Sequence, residues 1–185
     1  MSATNRGAKR IEADFYPTPV KTIENFLNNY ELREGTILEP CAGNGNFIKV
    51  LRKLGYKNKI VANELRVEEN DNLLYSGADY IYNVDFLNER MPEHNITTII
   101  TNPPFNLARE FVSRCKELYP EAEIIMLLRT AFLESKVRYD FWQNNKVNKL
   151  YTLSSRPKFV NGKTDATSYS FFIWNNTKDQ EIKVI

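Results

Sequence analysis

Apolar residues along the chain follow two alternating patterns. Short runs that are almost entirely apolar are typical of buried strands, and between them apolar positions recur every three or four residues, as on one face of a helix. The runs predict strands at 36–39, 59–64, 80–85, 96–101, 124–128, 149–154 and 168–174. The spaced positions predict helices from Thr18, from Phe47 to Leu54, and at 66–75, 107–119 and 132–144.

Strands that alternate with helices predict an α/β domain whose mostly parallel sheet is covered on both faces. The last two strands flank the loop 155–167 and read as a hairpin, which predicts one antiparallel strand at the edge of the sheet. We expect a mobile segment at 1–14, a single folded domain at 15–175 and a polar tail at 176–185, with no separate domain for target recognition.

Composition changes this picture little. The chain has 185 residues, 42% of them hydrophobic and 26% charged, which is ordinary for a soluble globular domain. No apolar run approaches the roughly 18 residues that span a bilayer, and the polar start does not resemble a signal peptide, so we expect a cytoplasmic protein that does not bind membranes. The net charge of +2 permits a nucleic-acid partner without arguing for one.

Metal and histidine chemistry find little support in the sequence. Cys41 and Cys115 do not make a disulfide framework, and together with the single histidine, His94, they do not supply a zinc ligand set. We therefore expect no metal cofactor and no histidine general base.

The most distinctive segment is Asn102-Pro103-Pro104-Phe105, which follows a predicted strand and therefore lies where open α/β sheets hold their ligands. The two prolines carry no N–H and hold φ near −65°. Asn102 precedes a proline and is pushed into an extended conformation. Its amide oxygen and the Pro103 carbonyl can converge on one amino group, beside the flat face of Phe105. This arrangement suits a planar amine, although a merely stiffened loop is the alternative.

A glycine turn joins the first predicted strand to its helix. Gly43 and Gly45 let the backbone approach a ligand and leave the helix N-terminus open, but the third glycine of the dinucleotide fingerprint is missing. Glu39 at the strand end would repel a pyrophosphate and attract a cationic or amine-bearing ligand. The turn therefore favours an aminoacyl nucleoside over a dinucleotide.

Two more acids end the next two predicted strands. Glu64 is placed to accept hydrogen bonds from ribose hydroxyls, and Asp85 from an exocyclic amine, while Phe86 stacks on the ring. Each acid alone could simply cap the following helix. Three acids at consecutive strand ends, with an acceptor loop on a fourth strand, form a much less ordinary set.

Two further segments are ambiguous. Thr18, beside Tyr16 and Pro17, is predicted to cap the first helix, with Pro19 in the first turn, and its hydroxyl could hold a carboxylate there. In the hairpin loop, Phe159 could face Phe105 across a pocket. The nearby basic residues could neutralise phosphate or simply be solvated, and they are Arg156, Lys158 and Lys163.

Taken in their order along the chain, these segments resemble the amino-methyltransferases that depend on S-adenosylmethionine. The motif order is similar to that of the adenine-specific DNA enzymes of the gamma class, and the compact size resembles the short phage-type adenine methyltransferases. The resemblance covers roughly residues 15–175. It implies a Rossmann-like, seven-stranded class I methyltransferase sheet with strand order 3-2-1-4-5-7-6. Phe105 stands where tyrosine is common in the family, and the chain lacks the extra domain with which many relatives read DNA sequence.

The resemblance also implies roles for individual residues. S-adenosylmethionine would be held by Thr18 at its carboxylate, Glu39 at its amino group, Glu64 at the ribose, and Asp85 and Phe86 at its adenine. The remaining cofactor-lining positions would be Tyr16, Pro17, Pro40, Ala42, Gly43, Gly45 and Asn102. The catalytic loop would comprise Asn102, Pro103, Pro104 and Phe105, with Phe105 and Phe159 sandwiching a flipped target adenine in DNA.

Three alternatives remain open at this point. RNA adenine would be methylated by the same chemistry, and a protein glutamine is also a planar amide that such a loop could hold. The chain could also be a catalytically silent subunit of a larger complex. The oligomeric state and the target sequence do not follow from the sequence.

Overall fold

The strands form one eight-stranded sheet in the order β3-β2-β1-β4-β5-β7-β6-β8. The structure is a computed structural model, and it describes residues 17–159 and 166–185. The strands are β1 (Thr36–Glu39), β2 (Ile60–Asn63), β3 (Tyr80–Tyr82), β4 (Ile96–Thr101), β5 (Glu123–Arg129), β6 (Lys149–Thr152), β7 (Tyr169–Trp174) and β8 (Glu181–Val184). The predicted α/β fold and the order of its seven strands are confirmed. The segment 1–14, predicted to be mobile, lies outside the described residues.

The antiparallel strand lies inside the sheet and not at its edge, so that expectation was wrong. β7 pairs antiparallel with β5 on one side and with β6 on the other. All six residues of Tyr169–Trp174 are buried, as an interior strand covered on both faces requires. The second strand of the hairpin, β7, therefore lies between β5 and β6, which run in the same direction.

An eighth strand was not expected. Residues 181–184, read as part of a polar tail, pair in parallel with β6. Their polar and apolar residues alternate, so that Glu181 turns to the sheet and accepts a hydrogen bond of 2.8 Å from the Tyr151 hydroxyl, whereas Ile182 is 81% exposed. Only one face of this edge strand is covered, and the apolar content was too low for the pattern to reveal it.

The helices are α1 (Val20–Leu27), α2 (Asn46–Lys53), α3 (Asn70–Ser76), α4 (Ala108–Leu118) and α5 (Tyr139–Asn144). The helix predicted at 66–75 is confirmed in part, because its first turn, Val67–Glu69, is a 3-10 helix. The helix predicted at 132–144 is broken into two 3-10 turns before α5. No helix among the described residues is both long and apolar enough to cross a membrane.

Neighbouring aromatic residues of β7 show how the two faces are packed. Successive strand residues point to opposite faces. Phe171 stacks on Phe26 of α1 with 4.0 Å between ring centroids, while Phe172 stacks on Trp142 of α5 at 6.1 Å. Helices α1–α3 contribute to the apolar cluster on the first face, and α4 and α5 to the cluster on the second. The carboxyl ends of the parallel strands are left to the loops that form the candidate site.

Candidate active site

A cavity of about 440 Å³ lies at the carboxyl ends of β1 to β4. This volume is within the usual range for small-molecule sites. Eleven residues predicted for cofactor binding or catalysis line it, and they are Pro17, Thr18, Glu39, Pro40, Ala42, Gly43, Glu64, Asp85, Phe86, Asn102 and Pro104. The structure thus brings together the three acids, the glycine turn and the start of the proline loop.

The turn after β1 is shaped by two glycines with positive φ. Gly43 has φ 55° and Gly45 has φ 75°, in the left-handed region that residues with a Cβ rarely adopt. Gly45 does not line the cavity. A Cβ at Gly45 would lie 2.7 Å from the Cβ of Ser76 in α3, so this glycine allows α2 and α3 to pack closely. Gly43 is the glycine that faces the cavity.

Glu64 is held in place from two sides. Its Oε2 accepts a hydrogen bond of 2.7 Å from the Gly43 N–H, which ties the end of β2 to the turn after β1. Its Oε1 accepts from the backbone N–H and from Nε of Arg66, the latter at 2.8 Å. A carboxylate has about four lone-pair positions, so further hydrogen bonds to Glu64 remain possible.

Asp85 shapes the turn after β3. Its Oδ1 accepts from the Leu87 N–H and its Oδ2 accepts from Nδ2 of Asn88 at 2.7 Å. No helix lies in the described segment 83–95 between β3 and β4, so Asp85 caps a turn and not the helix considered from the sequence, and its carboxylate also lines the cavity. Beside it, Phe86 stacks on Phe111 with 5.8 Å between centroids and 10° between planes. Apolar walls next to a fixed carboxylate form a slot that suits a flat ring bearing an amino group.

Glu39 is the unusual acid of the set. It is 2% exposed, and its Oε2 has no hydrogen-bond partner among the described residues. Burial raises the pKa of the Glu39 carboxyl well above its ordinary value, and the nearby carboxylate of Glu64 raises it further. A buried oxygen without a hydrogen-bond partner destabilises the folded protein, because its lost hydration is not replaced. This position therefore favours a ligand that donates a hydrogen bond or carries positive charge.

Thr18 lines the cavity and does not cap α1. The residue before α1 is Pro19, and no side chain caps the helix, so the predicted cap was wrong. The Thr18 hydroxyl accepts a hydrogen bond of 3.0 Å from Nδ2 of Asn102, and its carbonyl accepts one from Nδ2 of Asn46. Because the amide nitrogen of Asn102 is directed to Thr18, the acceptor atom of that side chain is directed away from it.

The two prolines of the loop have different roles. The Pro104 carbonyl accepts from the Leu107 N–H and begins the turn that leads into α4. The Pro103 carbonyl takes no such bond among the described residues. Of the two donor-free residues, Pro103 is therefore the one whose carbonyl accepts no backbone N–H among the described residues, and its contact with a ligand stays a prediction.

The aromatic residues of the predicted target site touch one another. Phe105 meets Phe159 at 6.5 Å between centroids, and their planes are inclined by 72°. Both rings also contact Tyr169 at the start of β7. The guanidinium of Arg129 lies over the Phe105 ring, 5.2 Å from its centroid. A sandwich between parallel rings is therefore not preformed, and a base could enter it only after Phe159 had moved.

Several predicted residues lie outside the cavity. Pro103 is buried and does not line the cavity, and Arg156 and Lys158 are exposed in the loop that carries Phe159. Tyr16 and Lys163 lie outside the described residues, so their roles stay predictions.

Three residues that matter to this region were missed from the sequence. Asn63 donates from Nδ2 to the carbonyls of Pro40 and Val84 and thereby joins the loops after β1 and β3. Arg66 holds Glu64, and Arg129 covers Phe105. Each lies at or just beyond the end of a predicted apolar run, which is the signal that selected the acids.

Nucleophilic and metal chemistry gain no support from the site. Cys41 lines the cavity, but burial raises the pKa of its thiol well above the ordinary value, which keeps it protonated and poorly reactive. Within residues 17–159 and 166–185, no group of three His, Cys, Asp or Glu side chains is arranged to hold a metal ion.

Comparison with known proteins agrees with the fold. No protein-family model matches the sequence, and no curated protein matches it. A provisionally assigned RNA methyltransferase from Pyrococcus horikoshii is similar in structure, with a TM-score of 0.67 and 16% identity over 94% of this chain and 88% of that one. The 23S rRNA methyltransferase ErmE gives 0.59 and 15% over 86% of this chain and 69% of that one. A dimethyladenosine transferase from Plasmodium falciparum gives 0.63 and 12% over 86% of this chain and 61% of that one.

Proposed function

We propose that this protein transfers a methyl group from S-adenosylmethionine to the exocyclic 6-amino group of adenine in a nucleic acid, with DNA as the first candidate. The observation that carries the proposal is one cavity that joins Glu39, Glu64 and Asp85 to the Asn102 loop. The folds of similar solved structures support it, two of them described as RNA or rRNA methyltransferases and one as a dimethyladenosine transferase.

The cavity fits the cofactor in charge and shape. S-adenosylmethionine carries an amino group, a ribose and an adenine, and each has a matching partner on a different strand end. The orphaned Oε2 of Glu39 would accept from the amino group, Glu64 from the ribose hydroxyls and Asp85 from the adenine amine. A dinucleotide fits less well, because these carboxylates would repel a pyrophosphate.

The backbone supports the same assignment at the amino-acid end of the cofactor. Gly43 presents a turn without a side chain to the cavity, and Thr18 lies beside it near the start of α1. Thr18 would hold the carboxylate with its hydroxyl proton while accepting from Asn102 with the oxygen. One hydroxyl would thus connect cofactor binding to the catalytic loop.

The protein has to contribute mainly the positioning of the reactants and electrostatic stabilisation of the transition state. The bound cofactor supplies a methyl group on a sulfonium, which is already activated for transfer. The amide oxygen of Asn102 and the Pro103 carbonyl would accept the two protons of the adenine amine. These dipoles favour a pyramidal nitrogen and oppose the positive charge that grows on it during transfer. A strong base is unnecessary, because the methylated aminium cation is acidic and loses its proton to water afterwards, which leaves the neutral methylamino group.

The target base must leave its stack to reach this loop. A flipped or single-stranded adenine would enter beside Phe105, and Phe159 would have to swing away from its edge contact to cover the other face. Stacking on aromatic residues contributes about 1–3 kcal/mol per base, which helps to offset unstacking.

RNA is the second candidate substrate. The motif order favours DNA, whereas the similar solved structures include proteins described as acting on RNA. Adenine presents the same amine in both polymers, and the differences lie in the sugar and the strand form.

Methyl transfer from radiolabelled S-adenosylmethionine to duplex DNA, single-stranded DNA and RNA tests the proposal. We expect incorporation into at least one of these polymers, with DNA highest, and none into polymers that lack adenine. Incorporation into RNA alone would replace the first candidate by the second. Incorporation into a glutamine-containing protein alone would contradict both candidates.

A further inference from the structure

The outer side of β8 is an edge of the sheet at which the structure describes no further strand. β8 is the last strand in the order and pairs with β6 alone among the described residues. Its two apolar residues face solvent, with Ile182 81% and Val184 67% exposed. We infer that this edge pairs in antiparallel fashion with the same edge of a second copy of the chain, so that the two sheets join. The inference does not depend on the proposed function.

The bonds between β8 and β6 use one side of the β8 backbone. The N–H of Glu181 donates at 3.0 Å to the residue before β6, and that of Ile185, just beyond β8, donates at 2.9 Å to the last residue of β6. Because the backbone groups of alternate residues point to opposite sides of a strand, those of Ile182 and Val184 point away from β6. Unpaired N–H and C=O groups along an edge are a template for a further strand.

Symmetry and charge together select one register for this pairing. Most homodimers have a two-fold axis, and such an axis makes two identical edge strands run antiparallel. With Ile182 opposite Ile182 of the second copy, Glu181 of each copy lies opposite Lys183 of the other. A register centred on Glu181 or on Lys183 would place that charge opposite its own kind, which is destabilising. Of these three registers, only the one centred on Ile182 opposes unlike charges.

The backbone is compatible with the same register. Because the groups of Ile182 point outward, the two copies of Ile182 form a hydrogen-bonded pair, and each pair of Glu181 with Lys183 is a non-hydrogen-bonded one. The Cα atoms of such non-hydrogen-bonded pairs lie about 4.5 Å apart, against about 5.5 Å in hydrogen-bonded pairs. The opposite charges would thus lie where side chains come closest. On the other face of the strand, the two isoleucines would bury apolar surface against each other.

Both charged side chains keep capacity for a further contact. Oε2 of Glu181 accepts from the Tyr151 hydroxyl at 2.8 Å and lies 3.5 Å from Nζ of Lys149. The Glu181 side chain is nevertheless 41% exposed, and its carboxylate can accept further bonds. Nζ of Lys183 lies 5.4 Å from the centre of the Tyr151 ring. A lysine usually protects an edge strand from pairing, but here Glu181 of the second copy supplies a partner for it.

The proposed contact is small, and it separates the two candidate active sites. Each copy contributes a strand of four residues, so we expect a weak dimer that dissociates on dilution. β8 runs in the same direction as β6 and β5. Antiparallel pairing therefore turns the two candidate active sites to opposite edges of the joined sheet, and neither copy contributes residues to the site of the other.

A charge-swap experiment tests the register. Sedimentation velocity of the wild-type protein from micromolar to submillimolar concentration should show a monomer–dimer equilibrium. Glu181→Lys and Lys183→Glu each turn two attractive pairs into repulsive ones, so we expect each variant alone to dimerise at least about tenfold more weakly. An equimolar mixture of the two variants opposes unlike charges again, and we expect it to form a heterodimer of nearly wild-type affinity. Leu74→Gln removes an exposed apolar residue from α3, beside the opposite edge strand β3, and should dimerise like the wild type.

Amide hydrogen exchange of the wild-type protein tests the edge without any substitution. Exchange is resolved by residue and compared at the lowest and highest of these concentrations. We expect the amides of Ile182 and Val184 to become protected at the higher concentration, in proportion to the dimerised fraction. The amide of Lys183 points to β6, so its exchange should not change.

Three results would each overturn the inference. They are a wild-type protein that stays monomeric at every concentration, a dimer that both charge reversals leave intact, and a dimer whose Ile182 amide exchanges as fast as in the monomer. Thermal unfolding checks that both variants are folded, and a mixture of folded variants that stays monomeric would contradict the register. If a variant does not fold, the exchange of the wild-type protein decides.

Discussion

The two halves of the carboxyl edge of the sheet are built in different ways. In the acidic half, at the ends of β1 to β3, each carboxylate lines one cavity, and two of the three are fixed by hydrogen bonds, as in the 2.7 Å bond from Gly43 to Glu64. In the aromatic half, at the ends of β4 to β6 and the start of β7, the rings of Phe105 and Phe159 touch edge to face.

The difference would allow one small domain to bind two ligands of different kinds. In the acidic half, Glu64 and Asp85 are already held by hydrogen bonds, as a site for a small ligand of constant shape requires. The aromatic half has contacts that must open before a base can enter, and it carries exposed cations suited to a long anion. Asn102 stands between the halves, because its side chain donates to Thr18 and its loop continues to Phe105.

The largest effect is expected at this junction. Asn102→Ala removes one of the two acceptors of the target amine, so we expect turnover to fall by at least about 100-fold. Cofactor affinity should remain nearly unchanged, since the three carboxylates are intact. Steady-state methyl transfer and calorimetric titration measure the two quantities.

The neighbouring Asn106→Ala is the matched control, because Asn106 is exposed and follows the loop. Its turnover should resemble that of the wild type. A normal rate in Asn102→Ala would remove the role assigned to the loop.

A smaller effect, confined to the nucleic acid, is expected in the aromatic half. Phe159→Ala removes one stacking surface worth about 1–3 kcal/mol, so we expect KM for the nucleic acid to rise about 5- to 150-fold. Phe159→Tyr keeps the ring and should stay close to the wild type. Weaker cofactor binding with an unaltered KM would show that the two halves are not separate.

Asp85→Ala is the corresponding change in the acidic half. The loss of a charged acceptor should weaken cofactor affinity about tenfold, and calorimetry measures it. Asn88→Ala removes a hydrogen bond to Asp85 but keeps the carboxylate, so its effect should be clearly smaller. Equal losses in both variants would mean that Asp85 acts only by shaping the turn.

The smallest effect is expected at Glu39, and its sign differs between stability and binding. Glu39→Gln removes a buried acid with an orphaned oxygen, so the ligand-free protein should unfold at a higher temperature, by about 2–4 °C for each kcal/mol gained. Cofactor binding should weaken, because the amino group loses an anionic partner. A lower unfolding temperature with unchanged affinity would contradict the assignment.

Glu39 also predicts a pH dependence. Its pKa in the folded protein lies well above the ordinary value of 4.5, so its protonated form stabilises the fold at low pH, and this contribution is lost as pH rises toward the raised pKa. Cofactor binding favours the ionised form, so affinity should increase over the same range, up to the pKa of the cofactor amine at about 7.7–8.0. Glu39→Gln should lack both trends in unfolding and calorimetric titrations.

The acidic half could be predicted from the sequence and the aromatic half only in part. Glu39, Glu64 and Asp85 each follow an apolar run, and the ends of parallel strands meet at one edge, so their meeting follows from periodicity alone. The inclination of Phe159 against Phe105 depends on side-chain packing across distant segments, which periodicity does not report. β8 was missed because its two apolar residues, Ile182 and Val184, alternate with charged ones and form no apolar run. Both are exposed in the structure.

Arg129 was missed for a different reason. It follows the apolar run 124–128 just as the acids follow theirs, but the ligand groups expected at strand ends were carboxylates and not cations. The position was therefore predictable, whereas its contact with Phe105 depends on how far β5 extends past β4.

Analysis of the methylated nucleoside tests the central claim most directly. Nucleic acid treated with the purified protein and S-adenosylmethionine is digested to nucleosides and examined by mass spectrometry against synthetic standards. A loop that holds an exocyclic amine beside the cofactor predicts N6-methylated adenine as the product, absent with Asn102→Ala. A methyl group on a ring nitrogen, a ring carbon or a ribose oxygen would contradict the account.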